Sequence, residues 1–274
     1  MANHDAGASC RTVTWSQGDK VRHFTLSPLH FVTLIIVAYL GIGAQYAALT
    51  PRWQVPDEPA HYNYIRYIIE NRSLPTLDPG EYQQGYLEKL KSEGFPAGLP
   101  IDSLQYESWQ PPLYYLLATP IYLISNGALL PLRLFSLIIG AGVIIFAYLV
   151  VSELAGSNDM GLPLLAAGFI AFIPQHVAMM AGINNDSLSE LWIAIGLWLI
   201  LRLNNRDWDF GFWLLGFVIG LAFITKSQTY VLAPVAGLML LFRWQREGWG
   251  QWQSFVKRML IIFVPALLMG SWVW

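Results

Sequence analysis

The chain has 274 residues, of which 55% are hydrophobic and only 12% are charged, with a formal net charge of −2. Soluble domains carry about 25% charged residues, so this composition argues against a water-soluble enzyme. Near-neutral charge without a basic stripe argues against a nucleic-acid binder. The single cysteine excludes a disulfide framework or a cysteine metal cluster. The sequence therefore predicts a multi-pass α-helical membrane protein.

The first predicted elements are a polar arm over residues 1–28 and an apolar run over residues 29–49. The arm contains Arg11, Lys20 and Arg22, and the positive-inside rule places it in the cytoplasm. The run is long enough to cross a bilayer, which takes about 20 residues. A cleaved signal peptide is the alternative, but the many apolar runs that follow favour a retained span.

Residues 50–110 form a long polar stretch that holds nine of the 18 acidic residues. Its prolines and glycines exclude one long helix. Its many tyrosines and tryptophans argue against disorder. We therefore expect a folded extramembrane loop that contains short juxtamembrane helices, and we call it the first loop.

Seven apolar runs follow, at residues 113–124, 132–154, 162–182, 188–203, 210–225, 230–242 and 259–274. Most of them approach the length of a membrane span. The run at 113–124 is the shortest and contains Pro120. It is therefore the weakest candidate for a crossing.

The basic residues predict the orientation. Arg202 and Arg206 lie in one short connection and further bases lie at 243–258, two spans later, so both connections are expected in the cytoplasm. Residues 184–186 and the first loop then both lie outside, which requires an even number of crossings between them. Three runs intervene, so the run at 113–124 is predicted to dip into the membrane or lie along it without crossing.

The first candidate site is the acidic pair Asp57 and Glu58, about seven residues past the first span. Asp followed by Glu-Pro is a good helix start, in which Asp57 caps the helix. A capped interfacial helix accounts well for one of the two acids and less well for both together. With His61 one turn further on, the pair can also bind a divalent cation or share a proton.

The second candidate is the segment 106–115, in which Glu107 and Gln110 precede a pair of prolines. A loop that enters the membrane through an aromatic belt explains the segment structurally. Alternatively, Glu107 and Gln110 point into a site beside the first acids and bind substrate.

The third candidate is a second acidic site, formed by Asp186 and Glu190 with Asn185 beside them, where a later span opens. Asn185 or Asp186 can simply cap the helix. Glu190 lies one turn further on, on the same face as Asp186. An acid inside a span is costly and usually faces a polar cavity.

The fourth candidate is a pair of isolated bases, Arg133 and Lys226, at predicted outer helix ends. Positive-inside bias explains neither, and snorkelling toward headgroups is the structural alternative. The functional interpretation is a phosphate site, with a bidentate clamp from Arg and a point charge from Lys. Outer acids, outer bases and a membrane path suit a lipid-phosphate substrate.

In this order, the motifs resemble those of the GT-C superfamily of polyprenyl-phosphate-dependent membrane glycosyltransferases. The resemblance rests on DE at 57–58, QPPLYY at 110–115, RLFS at 133–136, ND at 185–186 and TK at 225–226. It covers about residues 29–243. The superfamily includes protein O-mannosyltransferases, lipid A aminoarabinose transferases and oligosaccharyltransferase catalytic subunits.

The resemblance implies an all-α, GT-C-like transmembrane bundle over residues 29–274, multi-pass in the plasma (inner) membrane, with its active site outside. It implies that Asp57 and Glu58 are the family's catalytic acidic pair, with Asp57 as the general base, and that an acceptor hydroxyl attacks the anomeric carbon with inversion. The donor would be a polyprenyl-phosphate sugar, and the acceptor a glycan, lipid or protein hydroxyl. Arg133 and Lys226 would stabilise the leaving phosphate.

No nucleotide cofactor is expected, because the sequence contains no Walker loop or nucleotide fingerprint. The metal requirement varies across the superfamily, so a divalent cation stays open; its candidate ligands are Asp57, Glu58, His61 and Asp186. Many members have His before the proline pair, where this chain has Trp109-Gln110. Full members usually have more spans, so the chain is expected to be an N-terminal part.

Two other functional classes compete with the enzyme. A multi-pass transporter would use Glu190 within a span, although the sequence shows no internal repeat. A non-catalytic lipid-binding membrane subunit would need the bases but would have no use for Asp57.

Overall fold

The computed structural model describes residues 27–80, 82–155 and 159–271, so nearly all of the predicted polar arm and the last three residues lie outside it. The described residues contain helices and no strand, which confirms the all-α class. The helices are α1 (Pro28–Leu49), α2 (Glu58–Asn71), α3 (Gln84–Ser92), α4 (Leu113–Ser125), α5 (Leu129–Ala155), α6 (Gly161–Phe172), α7 (Pro174–Met180), α8 (Asp186–Asn205), α9 (Asp209–Phe223), α10 (Leu232–Glu247) and α11 (Trp252–Gly270).

Three of these helical stretches are long and apolar enough to cross a membrane: α1, α5 and Trp249–Gly270, which includes α11. The bent pair α6 and α7 makes a fourth if it is one span, whereas α4 and α9 are shorter apolar helices. Large apolar side chains such as Leu29, Phe169 and Leu268 are exposed on these helices. Lipid would cover such faces in a membrane bundle.

The predicted run at 162–182 is broken rather than continuous. Ile173 adopts an extended conformation, with φ −69° and ψ 115°, and Pro174 begins α7. A proline disfavours helical backbone in the residue before it, so α6 ends there. The axes of α6 and α7 differ by 64°.

Both ends of α4 lie against α2. The Tyr64 hydroxyl on α2 donates to Gln110 O just before α4, at 3.0 Å, and the Tyr62 hydroxyl donates to Gly127 O just after it, at 3.0 Å. Helix α4 therefore runs beside α2 at one end of the bundle. That residues 113–124 do not cross the membrane stays a prediction.

The first loop is folded around its own small core of Leu87, Leu90 and Leu104. Asn63 on α2 secures this core, because its Nδ2 donates to Ile101 O at 2.7 Å and to Leu104 O at 2.9 Å. The expected folded loop with short helices, α2 and α3, is confirmed. Since α2 also packs on α4, the loop sits on one end of the bundle.

The opposite end of the bundle carries a network of ion pairs that we call the basic end. Buried Arg243 donates to Asp207, to Glu247 and to the Leu203 carbonyl. Arg202 on α8 pairs with Glu153 on α5 at 2.8 Å. These contacts join the far ends of α5, α8 and α10, and the start of α8 is left facing the first loop.

Candidate active site

Glu58 and Arg133 form a buried ion pair beneath the first loop. Arg133 Nε donates to Glu58 Oε1 and its Nη2 to Oε2, both at 2.7 Å. The remaining guanidinium hydrogens go to the carbonyls of Ala47, Thr50 and Pro51. Glu58 is 0% exposed and Arg133 3% exposed.

This geometry corrects two predictions. A guanidinium has five N–H donors, and five hydrogen bonds use them here, so Arg133 offers nothing to a donor phosphate. Glu58 also accepts from the backbone N–H groups of Trp53 and Ile183. The pair therefore joins the end of α1, the start of α2 and α5, and both side chains are buried.

Asp57 precedes α2 but does not cap it through its side chain. Its backbone is left-handed, with φ 58° and ψ 1°, a conformation uncommon outside glycine but tolerated by Asp. The exposed carboxylate instead accepts a hydrogen bond at its Oδ1 from the Tyr106 hydroxyl, at 2.9 Å. Burial and this carboxylate raise the pKa of Tyr106, which therefore stays a donor.

A chain of hydrogen bonds leads from Glu107 in the first loop through Gln110 to Asn185, just before α8. Gln110 Nε2 donates to Glu107 Oε2 at 2.8 Å, and Asn185 Nδ2 donates to Gln110 Oε1 at 3.2 Å. Asn185 is fully buried, and its Oδ1 has no hydrogen-bond partner. These three side chains, all predicted as substrate-binding candidates, form one connected strip.

Asp186 and Lys226 form the second ion pair of this region. Lys226 Nζ donates to Asp186 Oδ1 at 2.6 Å, and the side chains are 12% and 27% exposed, respectively. Lys226 lies in the turn between α9 and α10, and Asp186 is the first residue of α8. Asn184 Oδ1, rather than Asp186, accepts from a first-turn N–H, that of Ser187.

Electrostatic coupling joins these groups into one site. Burial and the carboxylates of Asp57 and Asp186 raise the pKa of Glu107, while Gln110 and Lys226 oppose the rise. Glu107 thus lies within electrostatic reach of two acids from distant parts of the sequence and of one largely buried base. We call Asp57, Glu107, Asp186 and Lys226 the site cluster.

His61 is buried behind the site cluster. Its Nδ1 is 2.8 Å from the Tyr115 hydroxyl, and the two rings stack at 5.8 Å. Burial, together with the positive charge of Lys226, lowers its pKa to about 3. His61 is therefore neutral at neutral pH and positions Tyr115.

Glu190 does not share a site with Asp186. Its Oε2 is 3.1 Å from Nε2 of His176 on α7, whereas Asp186 binds the α9–α10 turn. The two residues share a helix face by spacing, but their partners separate them. The predicted second acidic site is reduced to Asp186.

The predicted metal ligands do not converge. Across residues 27–80, 82–155 and 159–271, no group of three or more His, Cys, Asp or Glu side chains could hold a metal ion. Glu58 is committed to Arg133, and His61 to Tyr115. These candidate ligands therefore do not form a cation site among the described residues.

Two residues of the site were missed at the sequence level. Tyr106 holds the Asp57 carboxylate, and Tyr115 lies between His61 and Tyr64, whose ring it stacks on at 3.7 Å. Both lie in the segment 106–115 that the sequence marked as a candidate site. Their aromatic character alone suggested a membrane belt, so only the fold reveals their polar role.

Comparison with protein families identifies the chain. Residues 109–274 match the family described as dolichyl-phosphate-mannose-protein mannosyltransferase. This segment contains Gln110, Asp186 and Lys226, whereas Asp57 precedes it. No curated protein matches the chain. Because the match covers more than half of the sequence, the chain belongs to the dolichyl-phosphate-mannose-protein mannosyltransferase family, of GT-C type.

Proposed function

We propose that the chain transfers a sugar from a polyprenyl-phosphate donor to an acceptor hydroxyl at the outer face of the plasma membrane, with inversion. The observation that carries the proposal is the site cluster, in which an exposed carboxylate and a largely buried base from distant segments share one end of the bundle. Family membership supports a membrane glycosyltransferase.

Asp57 is suited to act as the general base. Tyr106 engages only its Oδ1, and a carboxylate retains further acceptor capacity on its second oxygen. That oxygen takes the proton of the acceptor hydroxyl while the hydroxyl oxygen bonds to the anomeric carbon. The bond from that carbon to the phosphate oxygen breaks, and the electron pair leaves with the polyprenyl phosphate.

Lys226 is suited to stabilise the leaving phosphate. An ammonium has three donors, and its hydrogen bond to Asp186 uses one of them. Since the base is largely buried, its attraction for developing negative charge is screened less than at the surface. Asp186 holds the ammonium in place, and the strip from Glu107 to Asn185 lies beside it to bind the sugar.

The proposal is tested by measuring sugar transfer from a synthetic polyprenyl-phosphate mannose by the purified full chain. Replacement of Asp57 by Asn should lower kcat about 10²–10⁴-fold, the usual contribution of a general base. Glu93→Gln, which changes an exposed acid of the same loop, is the matched control. Equal rates in the two variants would remove Asp57 from the mechanism.

A transporter is the second candidate, because Glu190 and His176 pair within the helical bundle. Proton-coupled transporters use such groups. Flux through proteoliposomes that Glu190→Gln abolishes, without any sugar transfer by the parent chain, would favour this alternative. A non-catalytic lipid-binding subunit would bind polyprenyl phosphate through Lys226 and be indifferent to Asp57→Asn.

A further inference from the structure

A cleft of about 220 Å³ lies between the start of α2 and the small core of the first loop. Its walls include the aromatic side chains Trp53, Phe95 and Tyr106 and the polar side chains Gln54, Asp57 and Lys91. The carboxylate proposed as the base is therefore part of the wall. A ligand in this cleft would meet that carboxylate directly.

The backbone around the cleft is unusual. Trp53, Asp57 and Phe95 have positive φ values of 67°, 58° and 56°, and they are three of the five non-glycine residues with positive φ among those described. Bulky residues adopt this conformation only at a cost, and such strain gathers at functional sites. The contacts that maintain it are visible: Trp53 N–H donates to the anchored Glu58, and Phe95 N–H donates to Leu90 O.

We propose that this cleft binds the acceptor and that the acceptor is a saccharide, presented as a single sugar ring. The inference rests on the proposed function and names the acceptor class for the same site. A sugar ring has an apolar C–H face and a rim of hydroxyls. Aromatic side chains pack well against the C–H face. The hydroxyl rim can form hydrogen bonds with polar side chains, which in this cleft are those of Gln54, Asp57, Lys91 and Tyr106.

The size of the cleft and the secondary structure around it favour a sugar over a peptide or a lipid. Pockets for drug-sized ligands measure roughly 300–1,000 Å³, so this cleft fits a smaller group. One mode of peptide binding, addition of a strand to a sheet edge, is not offered by the described residues, which contain no strand. A lipid chain would gain nothing from four polar side chains in the wall.

The sequence positions of the cleft residues also suit a role in acceptor selection. All six wall residues named above precede residue 109, where the family match begins. Lys226 and Asp186, proposed to serve the donor, lie within the match. The division assigns donor chemistry to the matched bundle and acceptor choice to the first loop.

The test is saturation-transfer NMR with the full chain in nanodiscs and two probes: a mixture of methyl hexopyranosides and a capped threonine tripeptide. Transfer from polyprenyl-phosphate mannose to each probe is measured in parallel. We expect the glycosides to receive saturation and to accept sugar. Lys91→Ala and Gln54→Ala should each raise the KM for the glycoside about tenfold, the equivalent of one hydrogen bond to a charged or polar group, with little change in kcat.

Lys89→Ala is the matched control, because Lys89 is an exposed lysine of the same helix outside the cleft. Transfer to the tripeptide alone would overturn the saccharide assignment. A glycoside KM unaffected by Lys91→Ala and Gln54→Ala would overturn the cleft as its site, while the proposed transferase function stood. Glycoside binding that depends on these residues, in a chain that does not turn over the donor, would support the cleft and refute the transferase proposal.

Discussion

At the scale of single residues, the proposed function assigns the leaving phosphate to Lys226. Its ammonium is 12% exposed and held by Asp186 at 2.6 Å, whereas the guanidinium of Arg133 is fully occupied. The sequence marked both bases as equal candidates. Only the fold separates them, because the partner of Arg133, Glu58, lies 75 positions away in the chain.

Replacement of Lys226 by Ala should lower kcat/KM for the polyprenyl-phosphate donor by about 10²–10³-fold, since one preorganised group that stabilises developing charge contributes about that much. Lys226→Arg should retain part of the activity because the charge remains. Steady-state kinetics at varied donor concentration measures both. Lys257→Ala, an exposed lysine of α11, should be silent, and an equal loss in that control would point to a general effect of charge.

The neutral state of His61 predicts how stability depends on pH. Its pKa is about 3 in the folded chain and about 6.5 when unfolded, so the unfolded state binds more protons between these values. Stability is then fully present above about pH 6.5 and is lost as the pH falls toward 3, by at most about 1.4 kcal/mol per pH unit. Unfolding midpoints between pH 4 and 8 measure this slope.

The matched variant is His61→Asn, which keeps a polar side chain but removes the titration. Its midpoint should be lower at pH 8, because the contact with Tyr115 changes, and its pH slope between 4 and 6.5 should be shallower. A slope identical to that of the parent chain would show that other groups cause the acid sensitivity.

At the scale of elements, the Glu58–Arg133 pair locks α1, α2 and α5 together. Removal of one partner leaves a buried charge uncompensated, which lowers the free energy of unfolding by about 3–5 kcal/mol. Replacement of both partners by apolar residues costs much less. Arg133→Met and Glu58→Leu should each lower the unfolding midpoint strongly, and the double variant should recover much of the loss.

Arg66→Met is the control for that series. Arg66 pairs with Asp102 at 2.6 Å, but Asp102 is 61% exposed, and such surface pairs contribute about 0–1 kcal/mol. Its loss should barely move the midpoint. Additive losses in the Glu58–Arg133 double variant would contradict a coupled pair.

Sequence patterns predicted the elements better than their ends. The apolar runs follow from hydropathy, and the folded first loop follows from its prolines, glycines and aromatic residues. The break at Pro174 was missed, because a 21-residue apolar run at 162–182 can equally be one span. The predicted side-chain cap at Asp57 was wrong, because the Asp57 carboxylate accepts from the Tyr106 hydroxyl instead of from a first-turn N–H.

At the scale of the whole molecule, the proposed orientation places the first loop and the site cluster outside and the basic end in the cytoplasm. In a Cys10→Ala background, Glu93→Cys should react with a membrane-impermeant maleimide added to intact cells, and Lys257→Cys only after lysis. Both parent side chains are exposed. The reverse pattern would invert the topology.

The sequence alone could not predict which residues share the site, and the reason is physical. Asp57, Glu107, Asp186 and Lys226 are each explicable as a cap, a loop residue or a snorkelling base when taken alone. Packing of α2 on α4 and of α8 beside the α9–α10 turn brings them to one place. The resemblance indicated the family, and the fold then showed which of the predicted residues share a site.

The central claim is that Asp57 and Lys226 serve one reaction in one site. The most direct measurement is a double-mutant cycle of kcat for sugar transfer with Asp57→Asn, Lys226→Ala and the combined variant. Groups that act in one catalytic unit are strongly non-additive, so we predict a combined variant hardly slower than the slower single variant. Losses that multiply in the combined variant would contradict a shared site.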